Sequence, residues 1–349
     1  MLKWIEINIP AILHNLREVR ERLRPGTKLM AVVKADAYGH GALEVSSALV
    51  RNNVQCLGVL TMEEALELRK RFSKIPLILL APVLKEYAEE ILRHRLIPTL
   101  DNMDFAEALQ KKSRTPVSIY VDLDMGLGRW GVTPRQLPRF LKRISLLGKI
   151  KVLGLSTHLD YVAGKNMEET EEKLKNFRRI FQNARHEIPS LTCHAANSSL
   201  FLDFPQWQMD MVRIGNLLYG INPTSKSMPL RNPWKFQAKI ISVKRIPKGT
   251  PIGYGSEYTA SKDMRIGTLP VGYSDGLTME PADRWIRLGG TYRYWGTMGN
   301  SQLPFVGRCG ISHVLVDLSG VPDTKVGDVV TLPIRRTAAN PRIPRTYFY

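Results

Sequence analysis

A chain of 349 residues with 44% hydrophobic and 23% charged side chains has the composition of an ordinary globular protein and the length of two domains. No apolar run reaches the roughly 18 residues a membrane span needs, and Cys56, Cys193 and Cys309 have neither metal-ligand spacing nor a disulfide framework, so neither a membrane nor a metal is expected. The net charge of +18 raises nucleic acid as a partner, but the basic residues are dispersed and no nucleic-acid module surrounds short runs such as Lys111-Lys112, which leaves a solvated basic surface as the expectation.

In chain order, residues 1–8 alternate apolar and polar and contain no signal core, which together with the scarce cysteines points to a cytoplasmic protein. Short β-rich runs then alternate with amphipathic stretches. The spacing predicts strands over 28–33, 55–60, 75–80, 97–100, 116–121, 151–157, 191–194 and 209–213. It predicts helices over 41–51, 62–71, 84–93, 103–111, 134–147 and 167–186, with a short one over 197–203. Eight strands with crossover helices favour a closed α/β (β/α)8 barrel of the TIM type. Beyond residue 232 the helical period stops, 234–244 largely alternates, and glycines punctuate short runs. The expected organisation is a barrel over 10–230, then a smaller, mainly β domain over 231–349 that takes in residues 1–9.

Lys34 stands where the run Leu29-Met-Ala-Val-Val33 gives way to a glycine-containing loop. A lone strand-end lysine usually snorkels to water. Held beside an aldehyde cofactor and partly desolvated, the same amine forms a Schiff base. The octet Lys34-Ala-Asp-Ala-Tyr38-Gly-His-Gly41 decides between these readings, because it resembles the cofactor-lysine signature of the alanine racemases. The resemblance runs from Trp4 to Tyr347.

That resemblance implies pyridoxal 5'-phosphate as cofactor and a two-base interconversion of L- and D-alanine, which supplies D-alanine for peptidoglycan. Asn197-Ser198 and Arg213-Ile-Gly215-Asn216 resemble the phosphate-binding segments, with Ser198 and the amides of Gly215 and Asn216 as donors; Tyr38 and Tyr347 match the two tyrosines that complete that site. Arg213 matches the arginine facing the pyridine nitrogen, where a guanidinium, which does not give up its proton, keeps the ring neutral. Lys34 and Tyr254 match the two bases, and His158 matches the histidine between the pyridine-side arginine and the tyrosine. Arg129 matches the residue that binds the substrate carboxylate, Tyr273 the one that narrows the entrance, and Ile311 a pocket position with an available N–H. The second base comes from the neighbouring subunit in the family, so a homodimer with shared sites is implied.

Three departures stand out. Asp122 occupies a position where many members carry a carbamylated lysine, and is expected to orient Arg129 directly. Ile311 and Ser312 replace a Met-Asp pair, which opens racemisation of serine or another small amino acid as an alternative. The stretch from Val326 to Arg342 is shorter than usual, so a trimmed β domain is expected. A non-catalytic pyridoxal phosphate carrier or regulator is the alternative outside enzymes, and the added domain holding Tyr254 speaks against it.

Overall fold

In the computed structural model, which describes residues 1–256, 258–277, 285–288 and 291–349, the chain divides into two compact units. One is Ile9–Asn232 and the other joins Met1–Asn8 to Pro233–Tyr349. The first strand, β1 (Lys3–Asn8), belongs to the second unit.

The unit Ile9–Asn232 opens with the helix Ile9–Glu21, an element the strand-and-helix alternation above leaves out. Ile9, Ile12, Leu16 and Val19 recur at helical spacing and are buried. The eight strands that follow are β2 (Lys28–Val32), β3 (Cys56–Val59), β4 (Leu77–Leu79), β5 (Thr99–Leu100), β6 (Val117–Leu123), β7 (Ile150–Thr157), β8 (Thr192–His194) and β9 (Met211–Ile214). Every pairing among them is parallel. They lie in the orders β4-β3-β2-β9 and β5-β6-β7-β8. The two groups meet at the bridge Ile78↔Ile97 on one side. On the other, the Arg213 amide donates to the Ala196 carbonyl at 2.8 Å, which brings β9 to β8 and closes the barrel.

Strands covered on both faces must be apolar throughout, and β3, β4 and β9 are buried at every position. Met30, Cys56, Ile78, Tyr120 and Met211, drawn from five of the strands, pack as one cluster. Helices Ala42–Arg51, Met62–Arg71, Met103–Lys112, Leu137–Ser145 and Met167–Glu187 supply the crossovers. The stretch expected as one helix over 84–93 is a 3-10 turn, Lys85–Tyr87, followed by a short helix, Ala88–Arg93.

In the other unit the strands are β10 (Trp234–Lys239), β11 (Ser242–Ile246), β12 (Pro251–Ile252), β13 (Tyr258–Thr259), β14 (Met264–Leu269), β15 (Trp285–Leu288), β16 (Thr291–Met298), β17 (Ser301–Val306), β18 (Val314–Asp317), β19 (Val329–Leu332) and β20 (Arg345–Phe348). The main sheet runs β11-β14-β18-β17-β16-β19-β10-β1-β20, and β15 pairs with β16. The N-terminal strand is antiparallel to β10 and parallel to β20, which places Ile7 beside Tyr347. Ile252, Ala260, Met264, Ile266 and Val306 form a core cluster. Lys3 donates from Nζ to the buried Asp275 Oδ1 at 2.7 Å, and Asp275 Oδ2 accepts from the Gly272 amide at 3.0 Å, so the turn around Tyr273 is pinned at its base.

Candidate active site

Lys34 follows β2 and Val33, and the chain then takes a backbone path its composition does not announce. Ala35, Asp36, Ala37 and Tyr38 have φ of 51°, 54°, 52° and 56°. Left-handed conformation costs an L-residue about 1–2 kcal/mol, so four in succession need support from outside the segment. Glu64 Oε1 accepts from the Ala35 amide at 2.6 Å, Asp36 Oδ1 accepts from the Ala42 amide at 2.7 Å, and the Asp36 carbonyl accepts from Gly41 at 3.0 Å.

The half-buried Lys34 side chain lines a cavity of about 270 Å3 with Tyr38, Asp122, Arg129, Trp130, His158, His194, Asn197, Ser198, Arg213, Gly215 and Asn216, all within Ile9–Asn232. Burial lowers the lysine's pKa, and the positive charges of Arg129 and Arg213 lower it further against an opposing pull from Glu64. A lysine in that setting yields a free amine more readily than one in water.

Arg213 is the most firmly held side chain of the cavity. Nη2 donates to the carbonyls of Thr157 (2.8 Å) and Ala195 (3.0 Å), and Nη1 donates to the His194 carbonyl (3.3 Å) and to His194 Nδ1 (2.7 Å). His158 Nδ1 lies 3.4 Å from Nη2. Because a guanidinium only donates, His194 Nδ1 is its acceptor and the His194 proton sits on Nε2. Burial is the main force on the arginine, opposed by Asp122 and reinforced by Arg129, and it brings the pKa to about 10, so the group stays protonated at neutral pH. The histidines stay neutral for the same reason. Burial, followed by Arg213, depresses His194 well below its ordinary value and His158 from 6.5 to about 3.

His158 therefore contributes stability that is complete above pH 6.5 and is lost as pH falls toward about 3, because the unfolded chain takes up the proton first. His158→Gln is expected to flatten the fall of the thermal midpoint across that interval; an unchanged slope would show that His158 titrates alike in both states.

At the other end of the cavity, Asn197 is the N-cap of helix Ser198–Asp203, and its Oδ1 accepts from the amides of Ser199 and Leu200 at 3.0 Å each. Asn197 thus shapes the site by capping. Ser198 Oγ accepts from the Gly215 amide at 3.3 Å, and Asn216 opens the 3-10 turn Asn216–Tyr219. A Cβ on Gly215 would fall 2.5 Å from the Tyr38 hydroxyl, so glycine is what lets backbone and phenol meet there. Tyr38 is itself stacked on the fully buried Tyr219, ring centroids 4.8 Å apart. Gly215→Ala is expected to cost about 1–3 kcal/mol of stability through this overlap and to weaken retention of any phosphate-bearing ligand; a denaturation curve and a dialysis measurement check the two effects.

Tyr254, Tyr273 and Ile311 line a second, open cavity of about 810 Å3 within the β unit, together with Arg308, Cys309, Ser312 and His313. All three are exposed, at 74%, 58% and 61%. The Tyr273 and Ser274 amides donate to the carbonyls of Gly310 and Ile311 at 3.2 and 3.0 Å, so the two loops hold one another. Tyr347 lies on β20 of the same unit.

Two findings depart from the sequence expectations. Among the described residues Asp122 makes no ion pair with Arg129. Its Oδ1 accepts instead from the Ser156 hydroxyl at 2.5 Å, while the Arg129 guanidinium lies 3.7 Å from the centre of the Trp130 ring. Burial raises Asp122 from 3.8 to about 6 even with Ser156, Arg213, Trp130 and Arg129 opposing it. In addition, Thr157 and His194 are the main acceptors for Arg213 besides Ala195, and no motif in the sequence marks them. His194 ends the short strand Thr192–His194 and reads as an ordinary buried residue; only its place one strand before Arg213 hints at a role.

Comparison with known proteins gives a single answer. The profile for "Alanine racemase, N-terminal domain" matches residues 7–223, and that for "Alanine racemase, C-terminal domain" matches 234–343. The chain is 33% identical over 338 residues to an alanine racemase of Halothermothrix orenii, covering 94% of this chain and 86% of the relative. It is 32% identical over 335 residues to one of Syntrophobacter fumaroxidans, covering 94% and 87%. Among solved structures, an alanine racemase of Clostridium difficile superposes with a TM-score of 0.89 at 26% identity, covering 100% of this chain and 96% of that one. With both profiles matched in order and relatives above 30% identity across nearly the full length, the chain belongs to the alanine racemase family.

Proposed function

We propose that the protein is a pyridoxal phosphate-dependent racemase that interconverts L- and D-alanine and supplies D-alanine for cell-wall synthesis. The observation that carries this reading is the buried Arg213, fixed by four acceptor contacts and lining the same cavity as a lysine of lowered pKa. The residues present suit the cofactor. Lys34 offers the amine, the Gly215 recess with Tyr38, Ser198 and Asn216 offers donors for a phosphate, and Tyr347 is proposed as a further donor. When bound, the cofactor supplies an electron sink for the carbon that loses its proton.

The remaining chemistry belongs to the chain. Arg213, protonated at neutral pH, would be the donor that holds the cofactor's ring nitrogen and would not give up its proton, which would keep that sink weak and favour return of the proton to Cα. Neutral His158 accepts from Arg213 on its Nδ1. Lys34 removes or delivers the proton on one face and Tyr254, contributed by a second copy of the chain in a homodimer, does so on the other. Arg129 receives the substrate carboxylate, with Ile311 and Tyr273 bounding the small side chain. Racemisation of another small amino acid is the second reading, favoured by Ile311 and Ser312 in the cavity of the β unit.

The test is to purify the protein, reduce it with borohydride and look for a cofactor-sized mass on the peptide bearing Lys34, then follow exchange of the Cα proton with deuterated water across a panel of L-amino acids. Alanine is expected to exchange fastest. Absence of a covalent cofactor would refute the reading, and a bound cofactor without exchange would leave a carrier.

A further inference from the structure

We propose that Trp130 is the platform that holds Arg129 open toward the substrate carboxylate, with Asp122 and Ser156 acting as positioning residues behind it. The proposal rests on the racemase reading for the identity of the substrate, and on the local geometry for everything else.

An arginine that must bind a carboxylate in a half-exposed cavity can be held in two ways. A neighbouring carboxylate fixes it strongly but occupies the in-plane N–H groups that the ligand needs. An aromatic ring touches only the flat face of the guanidinium and leaves the planar fork free. Arg129 is held in the second way. Its Cζ lies 3.7 Å from the Trp130 ring centre, and none of the ion pairs among the described residues includes it. Both side chains line the cavity that contains Lys34.

The loop that carries the pair is tightly fastened. The Asp124 amide donates to the Val132 carbonyl at 3.1 Å and the Val132 amide donates back to the Asp122 carbonyl at 2.8 Å, closing the loop onto the end of β6. Asp124 Oδ1 accepts from the Gly126 and Gly128 amides at 2.9 and 3.0 Å, and Asp101 Oδ2 accepts from Gly131 at 3.3 Å. The buried Asp122 carboxyl, bonded to Ser156, faces the Trp130 indole. Asp122 thus steadies the ring and attracts Arg129 through space without forming an ion pair with it, and the guanidinium keeps its donors for the ligand.

The experiment compares Trp130→Leu with Trp130→Phe in the cofactor-loaded enzyme. Loss of the aromatic face is expected to raise KM for alanine about 10-fold while kcat stays within about 3-fold, and phenylalanine, which keeps a ring, restores KM to within about 3-fold of the wild type. Binding of propionate, an unreactive carboxylate, is measured by calorimetry on the same proteins and is expected to weaken by the same factor in the leucine variant. Propionate binding reads the platform even if no amino acid is turned over, so a failed racemase reading is distinguishable from a failed platform. Trp130→Gln carries the same expectation if the leucine variant aggregates. Unchanged KM and propionate affinity in Trp130→Leu, a loss confined to kcat, or a phenylalanine variant as impaired as the leucine variant would each overturn the proposal.

Discussion

Lys34→Ala is expected to lower racemisation by about 10^4-fold or more while leaving a folded, soluble protein. The amine is proposed both to hold the cofactor and to serve as one of two proton-transferring groups, so its removal takes two contributions at once. Stability is expected to change little, because the side chain is only partly buried and its burial already disfavours the charged form. The measurement pairs initial rates of D-alanine formation with the mass of borohydride-treated protein. Residual activity within 10-fold of wild type, with cofactor still covalently attached, would mean that another amine carries the chemistry.

Arg213→Ala is expected to act on the fold as much as on the chemistry. The side chain satisfies the carbonyls of Thr157, His194 and Ala195 together with His194 Nδ1 in the barrel interior. Each acceptor left without a donor costs about 1–3 kcal/mol when water does not reach it. A loss of about 3 kcal/mol or more in the denaturant midpoint analysis is the expected result, with Arg213→Lys intermediate because one ammonium cannot reach all four acceptors. A loss below about 1 kcal/mol would mean that water replaces the guanidinium at no great cost and that the arginine is not a structural tie between β7, β8 and β9.

The barrel is legible in the sequence because its strands are continuous apolar runs and its helices keep a 3.6-residue period; both follow from burial. Lys34 and His158 follow the ends of β2 and β7, and Arg213 lies within β9. Other features leave no such trace. His194 is the last residue of a three-residue strand, and its importance comes from a partner on the next strand. Trp130 looks like a packing residue, because what distinguishes it is the guanidinium beside it. The helix Ile9–Glu21 has regular apolar spacing but stands outside the strand-and-helix alternation, since it precedes the first strand of the barrel. The resemblance puts Asp122 in the place of an anionic residue that would orient Arg129 directly, but an anion at the right position does not fix a distance, and its oxygen is taken by Ser156.

The left-handed turn at Ala35–Tyr38 bears on when the lysine becomes competent during folding. Its residues are alanine, aspartate and tyrosine; aspartate visits positive φ only as a single residue and the others rarely, so the local preference of the isolated segment is for other conformations. The acceptor for the Ala35 amide, Glu64, lies in the first turn of a helix two strands into the barrel, and the Tyr38 ring gains its stacking partner Tyr219 only when the last strand has arrived. Local preference and final structure conflict here, and assembly of the whole barrel resolves the conflict. A nascent chain released from the ribosome short of β9 thus holds Lys34 as an ordinary flexible amine. On the proposed function, capture of pyridoxal phosphate is then expected only in chains whose barrel has closed.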